Sequence, residues 1–126
     1  MNPVVHFEMP YINNKRVAKF YKNAFGWVMQ YIPKMGKYVL ATTSPVDKKQ
    51  MHLKKGAING GFYPKGPFGT TSHVVISVNN LEKHIEVVKK AGGKVSGKPM
   101  DIPGIGMFVM FKDTEDNRVG MLQPSR

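Results

Sequence analysis

The chain of 126 residues contains no cysteine, which excludes disulfides and thiolate metal sites. It also lacks any apolar run that approaches the ~20 residues of a membrane helix. Its first residues do not show the basic and then apolar pattern of a secretory signal. We therefore expect a cytoplasmic protein with no membrane partner. The length suits one domain.

Acidic residues are scarce, because eight Asp and Glu stand against nineteen Lys and Arg, for a net charge of +11. Such a balance suits nucleic acid, an anionic membrane or simply a solvated surface. The sequence has no RNA-recognition aromatic signature, helix-turn-helix or zinc knuckle. We therefore favour a solvated basic surface that suits anionic small molecules. A basic accessory protein that binds nucleic acid or another anion is the alternative.

The sequence repeats itself at a constant offset, the 67 residues that separate His6 from His73. Segments 5–28 and 72–95 align over their whole length without a gap. A repeat of half the chain length indicates a fold made of two similar units. It also gives the two histidines equivalent positions, where a site shared by the two halves is expected.

Each copy shows the same predicted order of elements, a strand, a helix and three further strands. In the first copy Asn13 or Asn14 caps the helix and Gly26 ends it. The Gly- and Pro-rich segment 64–70 is the predicted linker. We predict a single domain made of module 1–64 and module 70–126. The predicted strands are 4–9, 27–32, 37–43 and 57–63, followed by 72–78, 94–99, 106–111 and 118–123.

The pleat of the first strand in each copy predicts which side chains face the helix. In the first copy Phe7 faces the helix, and His6 and Glu8 point to the opposite side. In the second copy Val74 faces the helix and His73 points away from it. We predict an α+β fold of two βαβββ modules whose curved mixed sheets enclose a cavity, with the histidines and Glu8 turned toward that cavity.

Three long segments carry a resemblance to a known superfamily. They are HFEMPYINNKRVAKFYKNAFGW, SHVVISVNNLEKHIEVVKKAGGKV and PMDIPGIGMFVMFKDTEDNRVGMLQP. Together with GAINGGFYP, they are similar to the vicinal oxygen chelate superfamily, which includes glyoxalase I, bleomycin-resistance proteins and extradiol dioxygenases. The chain looks most like the uncharacterised glyoxalase-related proteins of this group. The resemblance implies a protein that binds or transforms a small molecule between its modules, with lyase or dioxygenase chemistry as the enzymatic possibilities.

The resemblance also implies where a metal would bind, since in metal-using members the first and last strands of each module supply ligands. His6 and His73 stand at the first-strand positions. The last-strand positions fall at Gly120 and near Gly60, and glycine has no side chain to offer. We therefore expect neither glyoxalase I activity nor a tightly bound metal. A divalent metal held by His6, His73 and Glu8, as in non-haem iron sites, is the alternative.

The same polar residues are candidates for catalysis without a metal. Glu8 is the candidate general base, and His6 and His73 are candidates for proton transfer or ligand contact. The candidate ligand-binding residues are apolar or aromatic, as is usual in small-molecule pockets, and core packing is the alternative for each: Trp27, Tyr38, Phe62, Met107 and Phe108. We also expect a homodimer, since small oligomers are most often two-fold.

Overall fold

The predicted order of one strand, one helix and three strands occurs twice in the computed structural model, which describes residues 1–49, 51–67 and 69–125. The α+β prediction of two βαβββ modules is therefore confirmed. The first series is β1 (Val4–Tyr11), α1 (Asn14–Phe25), β2 (Val28–Ile32), β3 (Tyr38–Thr42) and β4 (Asn59–Pro64), and the second is β5 (His73–Ser77), α2 (Leu81–Lys90), β6 (Lys94–Ile102), β7 (Gly106–Lys112) and β8 (Arg118–Pro124).

Equivalent asparagines begin the helices of the two modules. The side chain of Asn13 accepts a hydrogen bond of 2.9 Å from the backbone N–H of Arg16, and that of Asn80 accepts one of 3.1 Å from Lys83. Each bond satisfies a backbone donor that has no partner inside the helix. At the other end of α1, Gly26 has a φ of 72°, which turns the chain out of the helix.

The sheet of the first module has the strand order β2-β3-β4-β1, with β1 and β4 parallel and the other pairs antiparallel. Helix α1 covers one face through Val17 and Tyr21, which pack against a buried core. The buried members of this core are Tyr11, Val39, Ala41 and Phe62. The helix itself buries none of its residues completely, because it contributes only one partly covered stripe to the core.

The sheet of the second module has the equivalent order β5-β8-β7-β6, with β5 and β8 parallel. Its core lies under helix α2 and consists of Val78, Leu81, Val109 and Met121. Val74 lies on the same side of β5 as Val78, as the pleat predicts, but it is 39% exposed. Helix α2 covers the end of β5 near Val78 and leaves the beginning of β5 uncovered.

Two strands, β1 and β6, run two or more residues further than their sequences predict. Strand β1 continues through Pro10 to Tyr11, because the residues of β4 extend beside it as a parallel partner. Strand β6 continues past Pro99 to Ile102. Its pairing with β7 shifts between Ser96 and Met100, where Gly97 has a φ of 75°. A bulge of this kind absorbs an irregular stretch without ending the strand.

The chain forms two compact units, one of residues 6–72 and one of residues 1–5 together with 73–126. The boundary lies close to the predicted linker 64–70, of which Phe68 is outside the described residues. The first residues join the second unit through a hydrogen bond of 2.9 Å from the backbone N–H of Ser77 to the carbonyl of Pro3. Among the described residues, no helix is long and apolar enough to cross a membrane.

Candidate functional site

The first module presents a polar face on the side of its sheet opposite helix α1. In the parallel pairing of β1 and β4, His6 lies opposite Asn59 and Glu8 lies opposite Gly61. Gly61 in turn lies opposite Leu40 of β3. Paired residues of neighbouring strands point to the same side of a sheet. His6 and Glu8 therefore point away from the helix-side core, as the strand pleat predicts.

The hydroxyl of Tyr38 joins these two polar side chains. Its oxygen lies 2.8 Å from Nε2 of His6, and its proton is donated to the Glu8 carboxylate. A phenol has one proton to donate, so Nε2 of His6 carries the hydrogen of the other bond when Glu8 is ionised. Burial and then the nearby Glu8 carboxylate raise the pKa of Tyr38. The phenol therefore keeps its proton at neutral pH.

Gly61 provides the space that the Tyr38 ring occupies. A Cβ atom at position 61 would clash with the Cζ and hydroxyl oxygen of Tyr38. Gly60, where the resemblance placed the last-strand ligand position, lies on the other side of the sheet, because it pairs with Phe7 and a Cβ there would meet the Phe7 ring. The position on the His6 side is therefore Gly61 and not Gly60.

The equivalent face of the second module carries an apolar set around its histidine. His73 is buried, and Val75, which points to the same side, is also buried and lies opposite Gly120 of β8. A Cβ atom at Gly120 would come within 2.8 Å of two ring carbons of Phe108 and 3.0 Å of a Val75 methyl group. The aromatic ring again occupies the space that a side chain on the last strand would need.

The structure separates the candidate ligand-binding residues into two groups. Tyr38 and Phe108 lie on the histidine-bearing faces of their own modules. Trp27, Phe62 and Met107 instead lie in the cores between helix and sheet. The Trp27 ring, for example, stacks on Tyr21 of α1 at a centroid distance of 4.6 Å. Core packing, the alternative for each candidate, describes these three residues.

The residues present do not fit the metal site that the superfamily implies. Across residues 1–49, 51–67 and 69–125, no three His, Asp or Glu side chains are grouped closely enough to hold an ion. The two last-strand positions are glycines, and the rings of Tyr38 and Phe108 fill the space beside them. We therefore derive no chemistry through a metal.

The contact that sequence reasoning missed is the one between Tyr38 and its two polar partners. Tyr38 lies 32 residues from His6 in the chain, and no local pattern connects them. One signal was present, since a glycine inside a strand often marks the close approach of another group. The pair Gly60-Gly61 in β4 is such a signal.

The chain is similar in sequence to one known protein and similar in fold to several solved structures. A glyoxylase-like domain-containing protein from Didymella fabae is 32% identical over 118 residues, which cover 87% of this chain and 84% of the relative. A hypothetical protein from Bacillus halodurans has a TM-score of 0.69 at 17% identity, over 99% of this chain and 96% of its own. Methylmalonyl-CoA epimerase from Mycobacterium tuberculosis has a TM-score of 0.69 at 8% identity, over 98% and 88% of the two chains.

A family model covers residues 4–121, from the first strand to the middle of the last. This match includes both modules and both histidine-bearing faces. The chain therefore belongs to the Glyoxalase/Bleomycin resistance protein/Dioxygenase superfamily.

Proposed function

We propose that the protein binds a small carbonyl compound on the polar face of its first module and moves a proton on it without a metal. The observation that carries this proposal is the Tyr38 hydroxyl held between Nε2 of His6, at 2.8 Å, and the Glu8 carboxylate. A base, a neutral acid and an imidazole that are joined through one hydroxyl are groups that general acid–base catalysis can use.

The proposed step removes a proton from a carbon next to the carbonyl. The C–H bond breaks, its proton goes to the Glu8 carboxylate, and its electron pair forms an enolate. Once Glu8 is protonated, its neutral carboxyl group accepts the hydrogen bond from Tyr38 less strongly than the carboxylate did. The phenol can then donate this hydrogen bond to the enolate oxygen and stabilise its charge. His6 holds the phenol oxygen during this change. Return of the proton to carbon gives an epimer or an isomer, and the step consumes no oxidant or reductant.

Two further observations support this class of ligand. The structural neighbours include methylmalonyl-CoA epimerases, one of them in complex with methylmalonyl-CoA, at a TM-score of 0.69 and 10% identity over 99% of this chain and 96% of the neighbour. Their names describe epimerases of an acyl-CoA compound. The net charge of +11 also favours anionic ligands.

The test is hydrogen exchange in deuterium oxide, followed by proton NMR. The two probes are methylmalonyl-CoA and 2-oxobutyrate, which share an acidic carbon next to a carbonyl and differ in the CoA group. We expect catalysed loss of that proton signal from at least one probe. Glu8→Gln keeps the shape of the side chain and should slow exchange by about 10²- to 10⁴-fold.

The matched control is Glu115→Gln, an exposed position in the turn between β7 and β8, which should exchange at the wild-type rate. If Glu8→Gln exchanged as fast as the wild type, the assigned base would be wrong. Saturable binding of a probe with no exchange would show a binding protein in place of an enzyme.

A further inference from the structure

The two modules share an arrangement in which a ring from the third strand lies on a glycine of the last strand. In the first module Gly61 of β4 pairs with Leu40 of β3, and Tyr38 stands two residues before Leu40. In the second module Gly120 of β8 pairs with Met110 of β7. Phe108 stands two residues before Met110. The ring and the glycine therefore occupy the same register positions in both modules.

Each ring excludes a side chain from the last strand of its module. An added Cβ would clash with the Tyr38 ring in the first module, and in the second it would lie 2.8 Å from the Phe108 ring. Real Cβ atoms do not come so close to other heavy atoms, so a carboxylate or imidazole at either glycine requires the ring to move. Histidine remains on the first strand of both modules, as His6 and His73.

The rings differ in one chemical group, the hydroxyl of Tyr38. That hydroxyl contacts His6 at 2.8 Å and Glu8, whereas Phe108 has no polar atom and lies beside Val75 and Gly120. The ring that lies on the last-strand glycine thus presents a hydroxyl in the first module and only apolar atoms in the second.

We infer that aromatic rings have replaced the last-strand metal ligands in both modules, and that the modules have divided their work. The first module presents a polar, reactive face, whereas the second presents a face that is apolar around His73. The replacement of the ligands stands on geometry alone, while the division of work rests on the proposed function.

Metal titration tests the replacement. Calorimetry with Ni²⁺ or Zn²⁺ should show no saturable binding to the wild-type protein. The double variant Tyr38→Ala with Gly61→Glu removes the ring and adds a carboxylate beside Glu8, on the face that carries His6. It should gain saturable binding, because imidazole and carboxylates then share one face.

Gly61→Glu alone is the matched variant, and it should bind much less metal than the double variant because the ring still fills the space. Stoichiometric binding by the wild type that is lost in His6→Ala would overturn the replacement. This wild-type measurement decides the question even where the double variant does not fold.

Tyr38→Phe tests the division of work, since it gives the first module the ring of the second. It should slow deuterium exchange on the responsive probe by about tenfold or more and leave the metal titration unchanged. Tyr31→Phe removes a hydroxyl from an exposed tyrosine of the same module and should leave exchange unchanged. Equal exchange by Tyr38→Phe and the wild type would overturn the division. Absence of exchange in the wild type would count against the proposed function and leave the metal result standing.

Discussion

The side-chain oxygen of Asn59 accepts a hydrogen bond of 2.8 Å from the backbone N–H of Thr43. The same oxygen accepts a second bond of 3.1 Å from Ser44, and the Thr43 hydroxyl donates to the carbonyl of Ile58 at 2.6 Å. The side-chain amide of Asn59 thus connects the end of β3 to the beginning of β4. Asn59 also lies directly opposite His6 in the sheet, so this connection supports the polar face.

Asn59→Ala should lower the free energy of unfolding by about 1–3 kcal/mol, because it leaves partly buried N–H groups without their acceptor. Asn59→Asp retains the accepting oxygen and should cost less. Urea denaturation of the two variants measures the difference. Equal stability of Asn59→Ala and the wild type would show that the connection contributes little.

The asparagine caps should contribute similar amounts in the two modules. Asn13→Ala and Asn80→Ala each remove the acceptor for the first turn of a helix, which typically costs about 1 kcal/mol. Asn79→Ala changes an exposed neighbour of the second cap and serves as its control. Thermal unfolding followed by circular dichroism compares the three variants. A control as destabilised as Asn80→Ala would contradict the assigned cap.

Asp113 gives the turn between β7 and β8 a dependence on pH. Its carboxylate accepts hydrogen bonds from the backbone N–H of Glu115 at 2.8 Å, and from the backbone and side chain of Asn117 at 3.0 and 2.9 Å. The bonds from Asn117, followed by that from Glu115, lower the pKa of Asp113. The folded protein therefore binds this proton less readily than the unfolded chain does, and stability is gained above the unfolded pKa.

Asp113→Ala should accordingly lower the melting temperature at pH 7. The difference from the wild type should begin to shrink below about pH 4 and disappear as the pH falls through the folded pKa. Asp101→Ala, at an exposed position of β6, is the control. A deficit for Asp113→Ala that stays constant down to the lowest pH at which the wild type is folded would contradict this assignment.

The homodimer stays a prediction. The first module leaves large apolar side chains exposed, including Phe20 at 57% and Phe25 at 64%. Burial of such side chains in a two-fold interface would stabilise a pair of chains. Light scattering at micromolar concentration should give twice the 14.1 kDa mass of the chain. A particle with the mass of one chain would contradict the prediction.

Local pattern was sufficient to predict most of the fold. Alternation, apolar stripes, Asn caps and glycine exits are properties of neighbouring residues, and the repeat showed that each module would use them in the same order. The errors came from partners distant in sequence. Strand β1, for example, runs on to Tyr11 because β4 lies beside it.

The candidate site was predicted less completely for the same reason. The pleat of β1 was enough to place His6 and Glu8 on one face, but the partner that joins them comes from β3. Its position depends on the pairing of Leu40 with Gly61, which is set by the whole sheet. The shift of the ligand position from Gly60 to Gly61 has the same origin, since a single residue of register moves a side chain to the other face.

The placement of residues 1–5 with residues 73–126 has a consequence for the order of folding. The unit of residues 6–72 is contiguous, so it can form as soon as that stretch of chain exists. The bond between Pro3 and Ser77 closes a loop that contains this whole unit, and long loops cost more entropy to close. During synthesis, residues 1–5 therefore meet this partner only after Ser77 has been made, well after the intervening unit has left the ribosome.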